Sequence, residues 1–176
     1  MIFDLESNAK KIQRMKLIIY PIVAILLGLF QISIVNFIEI GGISPNLMII
    51  LVVWIAINEG QFIALFSGFL IGVFYDFIKM DVIGTNALSL VISAFVSGYF
   101  YREGKSDLII RSFKFLLIVF ISSIAHNLIY FLLYLRISEI SFWNFFLRYG
   151  IATSFYTTVF SFFPILISFR RRSLNI

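Results

Sequence analysis

Residues 60–90 read GQFIALFSGFLIGVFYDFIKMDVIGTNALSL. No charged side chain occurs from Gly60 to Tyr75, and then Asp76, Lys79 and Asp81 arrive close together. Ala64, Gly68, Gly72 and Asp76 recur at every fourth residue, which places them on one face of a helix. Sixteen uncharged residues make about 24 Å of helix at about 1.5 Å per residue, somewhat short of a bilayer hydrocarbon core of about 30 Å. Small residues at this spacing let a second helix approach closely inside lipid. A new uncharged run starts at Val82, so the stretch reads as two apolar helices joined by a short polar turn.

Working outward, the same pattern repeats along the chain. Uncharged runs extend over Leu17–Ile38, Ile40–Asn58, Gly60–Tyr75, Val82–Tyr101, Phe115–Leu135 and Tyr149–Phe169. These predict an all-α polytopic membrane protein with six transmembrane helices. With the N-terminus in the cytoplasm, eleven of the Lys and Arg residues fall in inside segments (Lys10, Lys11, Arg14, Lys16, Arg102, Lys105, Arg111, Lys114 and Arg170 to Arg172). Lys79, Arg136 and Arg148 fall outside. A five-helix count divides the same charges seven to seven, and the positive-inside bias prefers six. Both termini are then cytoplasmic.

Residues 1–16 carry Ile2, Leu5, Ala9 and Ile12 at helical spacing beside basic residues, the pattern of a cytoplasmic amphipathic segment. Residues 17–169 form the transmembrane domain and 170–176 a basic cytoplasmic tail. A cleaved signal peptide is disfavoured, because the apolar run after Lys16 is too long and has no small-residue cleavage site after it.

Composition supports this class. The chain has 176 residues, 61% hydrophobic and 13% charged, with a mean hydropathy of +1.02. Soluble domains have about 45–50% apolar and about 25% charged residues, so a soluble enzyme and a disordered chain are both excluded. Zero cysteines and a single histidine exclude disulfide frameworks, thiolate sites and the common zinc sites. The net charge of +5 sits in clusters that flank apolar runs. That distribution fits membrane lipid and topology rather than nucleic acid.

Polar residues within the runs are the candidates for chemistry. Asp76 is either the acceptor for a neighbour's amide, hydroxyl or guanidinium, or half of a rim pair with Lys79. Asn86, Ser89, Ser93 and Ser97 form one stripe, Thr153, Thr157 and Ser161 a second, and Ser122, His126 and Tyr130 a third with Ser123 and Asn127 beside it. All three are expected to face inward. His126 reads as a neutral imidazole satisfied by a neighbouring Ser or Tyr, rather than as a proton relay. A serine protease site is disfavoured, because Leu65-Phe66-Ser67-Gly68 and Phe95-Val96-Ser97-Gly98 both lack the first glycine of a Gly-x-Ser-Gly turn.

Four motifs stand in order. They are Pro45-Asn46-Leu47, then Asn58-Glu59-Gly60, then Gly68 to Gly72 ending in Tyr75-Asp76, then Gly84-Thr85-Asn86-Ala87-Leu88. Together they resemble the MreD family of bacterial rod shape-determining membrane proteins. Asn46 stands where that family commonly has Asp, which puts a charge-dependent role there in doubt.

The resemblance implies no enzyme activity and no cofactor. It implies a scaffold in the bacterial cytoplasmic membrane that binds an MreC-like bitopic protein and acts with the MreB filament and a RodA-type synthase complex. It also implies a fold similar to the substrate-binding subunits of energy-coupling-factor transporters, so the rival function is a vitamin transporter's binding subunit. The motif residues Pro45, Asn46, Glu59, Gly60, Gly68, Gly72, Asp76, Gly84 and Asn86 are the expected site set, with His126 and Asn127 as intramembrane polar candidates. The face of Gly68, Gly72 and Asp76 is the expected surface for the partner's helix, unless it packs on the next segment of this chain.

Overall fold

The computed structural model describes residues 2–80, 82–135 and 142–173. Asp81, the expected outer loop at Arg136, and the last three residues lie outside this description. So do the side chains of residues 2–14, 16, 17, 36, 167 and 169–173, with the expectations attached to them.

The described residues are helical apart from their connections. The elements are α1 (Ile2–Ser33), α2 (Leu47–Glu59), α3 (Gln61–Lys79), α4 (Thr85–Gly98), α5 (Ser106–Ile110), α6 (Phe113–Tyr134), α7 (Phe142–Phe145), α8 (Ile151–Phe160) and α9 (Phe162–Ser173). A single 3-10 turn, Val35–Ile38, follows α1, and one turn of π-helix, Phe146–Gly150, joins α7 to α8. Three helical stretches are long and apolar enough to cross a membrane: α3, α6 and Phe142–Leu166. Ile18–Ser33 of α1, α2 and α4 are apolar but shorter.

α2 is the centre of the bundle. Met48 to Val53 and Ile55 to Ile57 are all buried, as expected for a helix that is apolar all round. Trp54 meets Phe115 of α6 edge to face at 6.2 Å. Around α2 stand α1, α3, α4 and α6, with α8 behind α6. The outward faces are just as apolar: Ile22 and Leu29 of α1, Phe62, Phe66 and Phe77 of α3, and Phe113 and Leu117 of α6 are all exposed. Continuous exposed apolar faces are what a bilayer requires and water penalises.

Lipid is as apolar as this core, so the helices are held to one another by close packing and hydrogen bonds rather than by a hydrophobic drive. Gly60 (φ 90) is the whole connection between α2 and α3. That backbone geometry suits glycine alone. The two helices therefore fold back as a tight hairpin.

Several expected boundaries shift. The second segment becomes helical at Leu47 rather than Ile40, because Gly41 (φ 60) and Gly42 (φ 82) turn the chain and Pro45 keeps the residue before it extended. The third, expected to be the shortest, is one of the long ones. It continues through Asp76 to Lys79, because Asp76 is wholly buried and hydrogen-bonded by the start of α4 rather than ending the span. The fourth is reduced to Thr85–Gly98. No break separates residues 1–16 from the first apolar run, since α1 is continuous from Ile2. The last segment begins earlier, at Phe142, and is interrupted at Ser161. Pro164 then sits in the first turn of α9, where a missing N–H costs nothing.

Candidate functional site

Asp76, on the last full turn of α3, is wholly buried. It faces the start of α4. The first amides of a helix have no partner within the helix, and the residue at the N-cap position of α4 is Gly84 (φ 103), which has no side chain to offer. Asp76 supplies the cap from the neighbouring helix. Its Oδ2 accepts from Gly84 N at 2.8 Å and Ala87 N at 3.3 Å. Its Oδ1 accepts from Asn86 N at 2.9 Å and Asn86 Nδ2 at 2.7 Å. The Thr85 hydroxyl lies 3.2 Å from Oδ1 and 2.8 Å from the Val82 carbonyl. The carboxyl group thus sits at the positive end of the α4 dipole, with its oxygens taken as acceptors.

Glycines make this reach possible. A Cβ on Gly72 would lie 2.6 Å from Ala87 N and 2.9 Å from the Asn86 carbonyl carbon. One on Gly68 would lie 3.1 Å from the Leu90 carbonyl oxygen. The face of Gly68, Gly72 and Asp76 is therefore filled by α4. The expectation that it receives a partner's helix is corrected: the alternative, packing on the next segment, holds. The rim pair of Asp76 with Lys79 is also replaced. The Lys79 ammonium lies over the rings of Tyr75 and Tyr130, at 5.3 and 6.0 Å.

The start of α2 is closed in a similar way. Asn46 Oδ1 accepts from Met48 N at 3.1 Å. Gln31 of α1 accepts from Leu47 N at 2.9 Å and donates to the Pro45 carbonyl at 2.7 Å. Asn46 N donates to Thr157 Oγ1 of α8 at 2.9 Å, and the Tyr156 hydroxyl donates to the Ile38 carbonyl at 2.7 Å. Pro45-Asn46-Leu47 is thus the junction of α1, α2 and α8. The role of Asn46 is a cap, which an amide performs as well as a carboxylate.

At the far end of α2, the Tyr20 hydroxyl donates to Glu59 Oε1 at 2.6 Å. Beside it the Tyr101 ring covers Gly60, where a Cβ would stand 3.6 Å from the ring. Gly98 lies against Gln61, whose amide donates to the Phe95 carbonyl at 3.2 Å.

His126 and Asn127 of α6 are both buried. Asn127 Nδ2 donates to the Gly150 carbonyl and to Ser154 Oγ, each at 3.0 Å. Its Oδ1 is then the atom 3.3 Å from His126 Nδ1, so Nδ1 carries the ring proton. Asn127 is thus the partner of His126, in place of the expected Ser or Tyr, while Tyr130 stacks on the ring at 6.0 Å. Nε2, together with the hydroxyls of Ser93, Ser122 and Ser123, has no hydrogen-bond partner among the described residues. Most of the three polar stripes face inward: Asn86, Ser89, Ser93 and Ser97, Ser122, Ser123, His126 and Asn127, and Thr157 and Ser161 are buried, whereas Thr153 and Tyr130 are half-buried.

The site residues therefore form four separate junctions. Thr157, already singled out in the second polar stripe, completes one of these junctions; Gln31, Ser154 and Tyr20 complete them as well and were missed. The signal for Gln31 was its place between Phe30 and Ile32 in an apolar run. Tyr20 gave none, since its partner is 39 residues away. Among the described residues no three His, Asp or Glu side chains gather as metal ligands. No protein-family model, no curated protein and no solved structure matches the chain.

Proposed function

We propose that the chain is a non-enzymatic, multi-pass scaffold of the MreD type in the bacterial cytoplasmic membrane. In this reading it binds an MreC-like bitopic protein and supports lateral peptidoglycan synthesis by a RodA-type synthase alongside the MreB filament. The specific family rests on the order of the four motifs. The observation that carries the scaffold character is the Asp76 cap. The residues of the motifs are spent on locking helix to helix, as expected of a rigid platform.

The rival, a transporter's substrate-binding subunit, draws support from the two short helices. Transporters present half-helix N-termini to anionic substrates. In this chain those termini are already filled, α4 by Asp76 and α2 by Gln31 and Asn46.

The proposal includes six passes with both termini cytoplasmic. α2 and α4 alone are about 20 Å long. Ahead of α2, Pro45 is buried and Asn46 N bonds to Thr157 of α8, while residues 37 and 39 to 42 are exposed and are placed at the outer surface in this reading. Because α4 fills the small-residue face of α3, the partner's helix docks on one of the outward apolar faces.

Depletion is expected to turn rod-shaped cells round while septal synthesis continues, and the tagged protein is expected to copurify with a bitopic partner. Cells that keep their shape and lose uptake of one vitamin would replace this reading with the transporter. For the six passes, a cysteine at Met80 is expected to react with an impermeant reagent added outside intact cells, and one at Ser106 to stay unlabelled. The reverse pattern would overturn the topology.

A further inference from the structure

The connection from α4 to α6 returns to the bundle instead of leaving it. Ile110 of α5 is buried in the same core as Phe115 of α6, and Ile109 packs against that core. α5 touches α2, α6 and α9, and Arg111 Nε donates to Ser168 Oγ of α9 at 3.2 Å. α5 is therefore fastened beside the first turn of α6. Yet large side chains around these fastenings make little contact with the protein. Leu108 is 69% exposed, Phe113 82%, and Tyr99, just past α4, 67%.

Three observations select what covers them. The first is continuity. Phe113 heads an exposed row on α6 that continues through Leu117 and Ile121, and Tyr99 ends one on α4 that includes Leu88 and Phe95. In the multi-pass reading both rows face lipid, and both run into this connection. The second is depth. The 22 residues of α6 make about 33 Å of helix against a hydrocarbon core of about 30 Å, so Phe113, its first residue, lies at the boundary. α5, fastened beside that turn, lies at the same boundary.

The third is chemistry. Arg102, Glu103, Lys105, Asp107 and Lys114 are exposed among these apolar side chains. Apolar residues interspersed with charged ones suit the headgroup region, where Lys and Arg lay their stems on acyl chains and keep their heads in water. Residues 102–114 hold four basic and two acidic side chains. The two signs largely offset each other, so insertion of apolar groups, rather than headgroup charge, holds the segment.

We propose that residues 99–114 are an interfacial anchor whose partner is the bilayer surface. Tyr99, Leu108 and Phe113 enter the boundary between headgroups and acyl chains, with Arg102, Lys105 and Lys114 among the headgroups. Through Ile109 and Ile110, α5 links this attachment directly to α2 at the centre of the bundle. The inference rests on the multi-pass reading and not on the scaffold function.

The chain has no cysteine, so single nitroxide labels report one position each. The full chain is reconstituted in phosphatidylcholine vesicles with a label at Leu108, Phe113, Glu103 or Phe69. Relaxation by oxygen, which concentrates in lipid, is compared with relaxation by a water-soluble nickel chelate. The oxygen-to-nickel ratio at Leu108 and Phe113 is expected to exceed that at Glu103 at least about threefold. Replacing part of the phosphatidylcholine by phosphatidylglycerol is expected to move these ratios less than about twofold. Nickel access at Leu108 equal to that at Glu103 would overturn the proposal. So would a Leu108 label shielded from both reagents, which marks cover by protein, or a ratio that rises only with phosphatidylglycerol. The Phe69 label, on the exposed side of α3, separates the anchor from the spans. Oxygen access at Phe69 with nickel access at Leu108 refutes the anchor alone, and nickel access at both refutes the multi-pass reading. On the unlabelled chain, a phosphatidylcholine with a photoreactive group at its glycerol backbone is expected to crosslink within residues 99–114. Adducts that spare this segment would refute the anchor.

Discussion

Replacing Asp76 by alanine removes the cap of α4 at a single stroke. Three backbone amides, those of Gly84, Asn86 and Ala87, lose their acceptor, and so does the Asn86 side chain. An orphaned buried donor costs about 1–3 kcal/mol, and breaking a buried charge interaction costs about 3–5 kcal/mol. Part of this is recovered, because Val82 and Ile83 beside the turn are exposed and polar surroundings can reach the Gly84 amide. The expected loss is therefore about 3–5 kcal/mol, at the lower end of what four orphaned donors would give.

Asp76→Asn tests the charge apart from the shape. Its oxygen can still accept from Asn86, but its NH2 then points at the amides of Gly84 and Ala87. A loss of about 2 kcal/mol is expected. The assay is unfolding in mixed detergent followed by circular dichroism, paired with hydrogen exchange. The amides of Asn86 and Ala87 are expected to exchange at least about a hundredfold faster in Asp76→Ala, since about 1.4 kcal/mol is tenfold. Stability within about 0.5 kcal/mol of wild type, or unchanged exchange at those two amides, would refute the account of Asp76 as a cap.

Other substitutions separate the junctions. Gly72→Ala forces α4 away from α3 and is expected to cost about 1–3 kcal/mol or more, whereas Phe69→Leu on the exposed side of α3 stays within about 0.5 kcal/mol; detergent unfolding reads both. Gln31→Leu leaves the Pro45 carbonyl and the Leu47 amide without their partner, and is expected to raise protease cleavage between residues 34 and 46 while the start of α4 keeps its exchange protection. His126→Gln can still donate to Asn127 Oδ1. It is expected to lie within about 1 kcal/mol of wild type and to restore rod shape in depleted cells; failure with normal folding would make the imidazole itself functional.

Membrane character and helical content were open to reading because hydropathy and charge clustering report directly on the solvent around a chain. The face of Gly68, Gly72 and Asp76 was equally legible, since a four-residue period is a property of one helix. Which helix covers that face was not, because small residues invite a close neighbour without naming it. The ends of the segments failed for a related reason. Cutting at charged residues treats Asp76 as a boundary, yet its charge is solvated by α4 rather than by water. Asn46 was readable as a cap only once Leu47 was known to begin α2, and the Gln31 and Thr157 contacts that complete the junction span 16 and 111 residues. Long-range pairs of single polar groups leave no periodic trace.

The one-residue link at Gly60 bears on how the chain enters the bilayer. A single residue spans about 3.5 Å, so the end of α2 and the start of α3 cannot reach different depths or leave the insertion machinery at separate times. They must partition as a hairpin. That spares α2 from having to insert alone at a length too short for the hydrocarbon. α4 then joins through the Asp76 cap, only eight residues downstream of that carboxylate at Gly84. The most extensive helix contact is the one between α3 and α4, neighbours in the chain, and such local contacts form with little loop-closure cost. Residues 47–98 are consequently the segment able to assemble while the rest of the chain is still being synthesised, with α1 waiting in the membrane for a surface to dock on.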